Sequence, residues 1–350
     1  MRSASSQQLK AFIERCLTAV GFSEYDAGTI AALISDADLN GSDGHGIFRL
    51  PQYIKRIQNG GINIQPNIHL AEDRGAMALV DGDNAMGHLV MKYATELAMQ
   101  RAVDHGVAWV GVRHSNHAGP AALYAKMPLK KDMIGIYVAV GSANHLPPWG
   151  GTEMLLSTNP IAVAIPTSKE PPIVLDMATT VAAYGKVKTA AQRGEQIPEG
   201  WMIDKLGNPL TDPSRAGEGF LLPIGGPKGY GLSLVFGLLA GTLNGAAFGK
   251  DVVDFNADST SFTNTGQFIV ALSVEAFTDT DTFKNNVDAA IRSMRESPTL
   301  PGFDSVRVPG ERSLGIRRQR EKCGIPIPDS LYDALNDLAS SLDTRFLFDS

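Results

Sequence analysis

Apolar positions recur at intervals of three and four through Leu9, Phe12, Ile13, Cys16, Leu17 and Val20, after a serine-rich start that can cap a helix, and Gly21 ends the run. The spacing predicts an amphipathic helix there and a second from about Ser23 to Asn40-Gly41, with Ile30, Leu33, Ile34 and Ala37 on its face. INIQPNIHL and AMALVDG, bounded by Gly, Pro and Asn, read as strands. A third helix is expected over residues 87–105, and VAWVGV behind it is a β-rich buried strand. PAALYAKMPL then reads as a short helix, and MIGIYVAVG, PIAVAIPT, PIVLDMA and GQFIVALSV read as strands. Helices over about 281–296 and 331–342 complete the pattern. Strands interleaved with helices predict an α/β class.

The longest apolar segment, residues 231–249, is interrupted by Ser233, Thr242 and Asn244 and carries many glycines, so it fails as a membrane span. Gly237, Gly241 and Gly245 fall four apart, which predicts a buried helix packed closely in a core or subunit interface. At 350 residues the chain is long enough for two subdomains.

Composition narrows the class. With 43% hydrophobic and 19% charged residues the chain reads as globular, and a formal charge of −6 argues against a sequence-independent hold on nucleic acid. The one basic run, Arg317-Arg318-Gln319-Arg320, reads as a solvated helix end. Two cysteines, Cys16 and Cys323, are too few for a disulfide framework or a four-thiolate zinc site. Lys10, Glu14 and Arg15 interrupt the opening before any signal-peptide core forms, so a reducing cytoplasm is expected.

The usual nucleotide motifs are absent: no G-x-G-x-x-G joins a strand to a helix, and Asp251 follows Gly249-Lys250 where a Walker loop needs a hydroxyl. Four other stretches concentrate polar groups among glycines. In SDGHGIFRL, Gly44 and Gly46 flank His45, and Arg49 offers a planar fork suited to a carboxylate; its plainer reading is a salt-bridged arginine at a surface helix start. In GVRHSNHAGP, His114 and His117 lie three apart; proton handling by His117 ranks above a loop histidine, and metal ligation ranks last because no third ligand accompanies them. Ser142, Thr158 and Asn159 sit at turns, where they hold their own backbone or a ligand, and Asp176 ends a strand as an N-cap or as an orienting carboxylate. Lys228, wrapped by Gly225, Gly226, Gly229 and Gly231 ahead of an apolar helix, reads as a cation offered to a phosphate or carboxylate.

In this order the motifs ADLNGSDGHGIFRLPQY, VRHSNHAG, PPWGG, STNPIAVAIPT, IVLDMATT, IPEGWMIDKLGNPLTDP, GGPKGYGLSL and VPGER resemble the malate/L-lactate dehydrogenase family, which also holds L-sulfolactate, ureidoglycolate and diketogulonate enzymes and the Δ1-piperideine-2-carboxylate reductases. The resemblance runs along nearly the whole chain. It implies a non-Rossmann NAD(P)-binding fold of the L-sulfolactate dehydrogenase-like type with helical N- and C-terminal segments, usually as a homodimer with its active site near the subunit interface. Residues 1–80 with 300–350 would form a mainly helical unit serving substrate and dimer, and residues 81–299 the α/β cofactor-binding domain. By the same resemblance His117 matches the catalytic histidine of S-x-H-x-G, His45 the catalytic histidine of S-H-G, a proton donor in some members, and Arg49 the substrate arginine. Ser142, Thr158, Asn159, Asp176, Met177, Ala178, Lys228 and the Pro309-Gly310-Glu311 turn match cofactor contacts for NAD or NADP, and no metal is implied.

Two positions depart from the family pattern. Gly44 stands where a serine usually precedes His-Gly, removing a hydroxyl, and Pro227 stands where many members have histidine, stiffening the loop and removing a donor. The expected reaction moves a hydride between nicotinamide and C2 of a small 2-hydroxy or 2-keto acid, with Arg49 on the carboxylate, His117 on the proton, and Asp176 on a histidine ring or on the cofactor. The alternatives are reduction of a cyclic ketimine to an L-amino acid and a dinucleotide sensor without turnover.

Overall fold

A computed structural model describes residues 2–348. Along the chain come β1 (Arg2–Ala4), α1 (Ser6–Ala19), α2 (Glu24–Leu39), α3 (Leu50–Gln58), β2 (His69–Arg74), β3 (Met77–Asp81), α4 (Gly87–His105) and β4 (Val107–Ser115). Next are α5 (Ala122–Ala125), β5 (Met133–Ala139), β6 (Asn144–Leu146), β7 (Leu156–Ser157), β8 (Ile161–Ile165), β9 (Ile173–Met177), α6 (Tyr184–Arg193), β10 (Met202–Asp204) and β11 (Gly219–Leu221). The last are α7 (Pro227–Ala240), β12 (Thr265–Ser273), α8 (Thr280–Arg295), α9 (Glu311–Cys323), β13 (Ile325–Ile327) and α10 (Asp329–Ser341).

The α/β class holds, and the central sheet is mixed. Its order is β2-β3-β4-β12-β5-β8-β9; only β3 and β4 run parallel, and every other neighbouring pair is antiparallel. Strand alternation sorts the two faces. Val110 and Val112 of β4 and Ile269 and Ala271 of β12 pack with Val90, Ala94, Ala98 and Ala102 of α4, whose small side chains let that helix lie close to the sheet. Phe268 and Val270 point the other way and meet Ala240 of α7.

The N-terminal helices form where the spacing places them. Ser5 and Gln8 cap α1 reciprocally, a motif worth about 1 kcal/mol, and Ser23 accepts the Asp26 amide at the start of α2. Leu9, Phe12, Ile13, Ile30 and Ile34 join Tyr53 of α3, Leu335 of α10 and the paired β1 and β13 in one core, so both ends of the chain meet in it. Cys16 belongs to this core, and burial pushes its thiol up to about 12.

Three expectations need correction. Residues 62–68 form no strand: Pro66 cannot donate to a ladder, Asn63 makes only an isolated bridge to Ala85, and β2 begins at His69. The basic run is no solvated end but the middle of α9, where Arg317 pairs with Asp36 and Glu321, and Arg320 pairs with Asp43. No residue of α9 is buried, so it carries no apolar periodicity to detect. Finally, α7 ends at Ala240, before Gly241 and Gly245, and is buried on one side only: Gly229, Ser233, Gly237 and Ala240 face inward, while Leu232, Val235 and Leu238 are exposed. Among the described residues no helix is long and apolar enough to cross a membrane.

Candidate active site

His117 leaves β4 on a turn gripped from three directions. The Asn116 carboxamide donates to Asn84 and Ala85 carbonyls, Gln267 Nε2 donates to the Asn116 carbonyl at 3.0 Å, and Thr263 Oγ1 donates to the Ser115 carbonyl at 2.9 Å. The His117 ring stacks on His45, with centroids 5.4 Å apart and planes 8° from parallel, and the Phe255 ring centroid lies 5.4 Å away. Its Nδ1 is 2.5 Å from Tyr53 Oη. With one ring nitrogen committed to Tyr53, Nε2 is the nitrogen left to exchange a proton with a ligand. His88, at the start of α4, meets the Tyr53 ring edge-on and is fully buried, with neither nitrogen hydrogen-bonded among the described residues.

Burial holds this cluster neutral. It lowers His45 to about 4 and His88 to about 3, and it takes His117 well below the ordinary histidine range, with His45, Arg49 and His88 adding to the effect. Burial also raises the Tyr53 phenol, which therefore keeps its proton. The sign for stability follows. A histidine whose folded pKa lies below its unfolded value of about 6.5 contributes stability above that pH, and the contribution is lost as the unfolded chain takes up the proton on acidification. His88→Leu is therefore expected to show a Tm that falls less steeply than the wild type's between about pH 6.5 and 4.5. Parallel Tm curves would show that His88 is not held neutral.

Arg49 sits one turn after His45, at the start of α3. Its Nε donates to the Gly44 carbonyl at 2.8 Å and its Nη1 to Asn256 Oδ1 at 2.7 Å, and no carboxylate of the described residues pairs with it. The salt-bridged surface reading therefore fails. The turn between His45 and Arg49 is pinned by the buried Asp38, whose carboxyl accepts the Ile47 amide at 2.8 Å and is raised to about 8 by burial. Gly44 is open, with nothing within 4 Å of where a side chain would start, and its carbonyl serves Arg49.

His114 belongs elsewhere. It adopts φ +48° and turns its ring to Asp81, 2.9 Å away. Asp176 likewise makes no hydrogen bond to a histidine among the described residues: its Oδ2 accepts the Ala122 amide at 3.0 Å, so it caps α5.

The expected cofactor residues gather at one end of the sheet. Met177 pairs with Ile161, the Thr158 carbonyl accepts the Thr179 amide, and the Thr179 carbonyl accepts the Ile224 amide just before α7. Lys228 lies exposed in the first turn of α7, after Gly225 and Gly226 at positive φ, and no ion pair engages it among the described residues. The Ser142 carbonyl accepts the Phe255 amide, which joins this end to the histidine cluster. Two of the expected residues also have internal partners. Asn159 is fully buried at φ +22°, and its carboxamide bridges the Gly141 amide to Ser233, so the side chain holds the fold together. Glu311 spends its carboxylate on the Val308 amide and on Arg295, while Gly310 presses against Val174 of β9.

The pattern that defines the family described as malate/L-lactate dehydrogenase matches residues 4–336. The chain belongs to that family. It is 38% identical to a malate/(S)-sulfolactate dehydrogenase of Methanothermus fervidus over 97% of this chain and 98% of that one. It is 35% identical to a ureidoglycolate dehydrogenase (NAD(+)) of Escherichia coli O157:H7, over 95% and 94%. The sulfolactate dehydrogenase structure from Methanocaldococcus jannaschii superposes with a TM-score of 0.91 at 36% identity, covering 98% of each chain. A Δ1-piperideine-2-carboxylate reductase from Pseudomonas syringae superposes with a TM-score of 0.84 at 28% identity, covering 97% and 100%. Relatives in the malate/L-lactate dehydrogenase family carry NAD(+) or NADP(+) in their names, and membership makes this chain an oxidoreductase of the 2-hydroxy-acid dehydrogenase class.

For this family member, motif reading passes over Tyr53, His88, Phe255 and Asn256. Tyr53 stands four residues after Arg49 on α3, a spacing that places both on one helix face and supplies a signal. Asn256 lies in a polar stretch with none, since its partner Arg49 is 207 residues away.

Proposed function

We propose that the chain acts on C2 of a small 2-hydroxy or 2-keto acid, Arg49 holding the substrate carboxylate and His117 exchanging the proton of the C2 oxygen. The carrying observation is a neutral His117 with Nδ1 tied to Tyr53, beside an arginine that no carboxylate of the described residues neutralises. In oxidation Nδ1–H donates to the phenol oxygen and the free Nε2 accepts the hydroxyl proton; in reduction Nε2 returns it, and the phenol oxygen stays the fixed partner of Nδ1 in both directions. The Arg49 guanidinium stands close enough to depress both His45 and His117. Anionic substrate on Arg49 offsets that positive field, so binding itself favours the protonated imidazole.

The nicotinamide of NAD or NADP, when bound, supplies or accepts the hydride. The residues fit such a group: Lys228 is a cation at the start of α7 with no ion pair among the described residues, and Ser142, Thr158, Met177 and Ala178 gather at the same sheet end. Asp176 belongs with this group as a carboxyl at the end of β9, rather than with the imidazoles. The antiparallel neighbours of the sheet support a cofactor fold other than Rossmann, within residues 81–299, and the core shared by α1, α2, α3 and α10 supports a helical unit from 1–80 with 300–350. The bare Leu232, Val235 and Leu238 face of α7 supports a homodimer. The free thiol of exposed Cys323 suits the cytoplasm.

The test follows nicotinamide absorbance with NADH and NADPH against pyruvate, oxaloacetate, sulfopyruvate, longer 2-keto acids and five- and six-membered cyclic ketimines, alongside the mass of the protein in solution. Turnover of an open-chain keto acid is expected, at twice the chain mass. Turnover of ketimines alone would replace this reading with the reductase reading that the Pseudomonas syringae structure supports.

A further inference from the structure

We infer that Asn256 is a positioning residue that sets the affinity of Arg49 for the substrate carboxylate; this rests on the reading of Arg49 as the carboxylate's partner. A guanidinium has five N–H donors in a fixed fork. Arg49 spends one on the Gly44 carbonyl through Nε and one on Asn256 Oδ1 through Nη1. Both terminal nitrogens keep a donor, so a carboxylate can take the fork end-on. The Nε side is closed by Gly44, and the Asn256 bond fixes the remaining rotation. A neutral amide does this without cancelling the arginine's charge, which a carboxylate in its place would do.

The segment that carries Asn256 is built to stay still. The Asp254 carboxylate accepts the Asn256 and Ala257 amides at 2.8 and 3.2 Å. Gln52 of α3 donates to the Phe255 carbonyl at 2.7 Å, and the Phe255 amide donates to the Ser142 carbonyl at 2.9 Å. Arg56, fully buried on α3, donates to the Ser261 carbonyl at 2.6 Å and to the Asp258 carbonyl, and its guanidinium lies 5.0 Å over the Phe255 ring. The helix that starts at Arg49 therefore also anchors the loop that returns to Arg49. This closed circuit holds Asn256 against the guanidinium before any substrate arrives.

The experiment compares Asn256→Asp, Asn256→Ala and Arg49→Gln by steady-state kinetics on the keto acid that the wild type turns over fastest among pyruvate, oxaloacetate, sulfopyruvate and the longer 2-keto acids. Asn256→Asp is expected to raise KM for the acid by about tenfold or more, with kcat within about threefold and the cofactor's KM unchanged, because only ground-state and transition-state carboxylate binding is lost together. Asn256→Ala is expected to raise the same KM by less, since it frees the fork without neutralising it. Unchanged KM in both Asn256 variants, while Arg49→Gln raises it, would overturn this inference and leave Arg49 in place. A parallel loss of kcat, cofactor affinity and Tm would overturn it in favour of a merely structural asparagine. Unchanged KM in Arg49→Gln, or a wild type silent on all of these keto acids, would overturn the underlying reading and this inference with it.

Discussion

His117→Ala is expected to lower kcat by roughly 10²–10⁴-fold, the range for removal of a positioned proton-transfer group, with KM for the acid little changed. The magnitude follows from the site's construction. His45 is parallel to His117 at 5.4 Å between ring centroids and is its own stacked neighbour rather than a replacement, and Tyr53 bonds the nitrogen that faces away from the exchange. Water reaching the vacated space offers no group with a tunable pKa and no fixed direction. His45→Ala, by contrast, removes the ring stacked on His117 and so relieves the burial that lowers the His117 pKa, and its pH profile is expected to shift toward higher pH while turnover persists. Wild-type turnover in His117→Ala, measured by nicotinamide absorbance, would remove His117 from the reaction.

Gly87→Ala is expected to destabilise the protein by about 1–3 kcal/mol and to lower kcat by about a hundredfold, the scale of an ångström's misplacement. A β-carbon at Gly87 would lie 2.7 Å from the His117 carbonyl oxygen and 2.8 Å from its carbonyl carbon, and closer still to the Asn116 oxygen. These atoms cannot retreat, because Gln267 donates to that Asn116 oxygen and the Asn116 side chain is bonded to Asn84 and Ala85. Helix propensity alone points the other way, since alanine favours a helix over glycine by about 1 kcal/mol. The sign of the change in urea midpoint therefore discriminates: a stabilised protein with intact turnover would show that the first turn of α4 does not abut the His117 turn.

Much of the fold is legible in the pattern because its elements bury a face. α1, α2 and α4 carry apolar residues at helical spacing, and β4, β5, β8 and β12 are apolar runs between turn signals. α9 is hidden because it docks by charge, with Arg317 and Arg320 reaching Asp36 and Asp43. The site divides in the same way. His45, Arg49, His117 and Lys228 stand out because glycines free the backbone around them, a local property. Asn256 and His88 do not, because their roles exist only through partners distant in the chain.

The sequence by itself determined the α/β class, the long helices, the family resemblance and the residues with chemistry to offer, since periodicity, turn residues and side-chain type are local. Only the tertiary structure decided that the sheet is mixed, that His114 serves Asp81 while His117 joins His45 and Tyr53, and that Asp176 caps α5. It also decided that Asn159 and Glu311 are spent inside the protein. A carboxamide or an imidazole has the same chemistry wherever it stands in the chain. Which partner consumes its hydrogen bonds, and how much water is left around it, is set by segments that folding brings from far away.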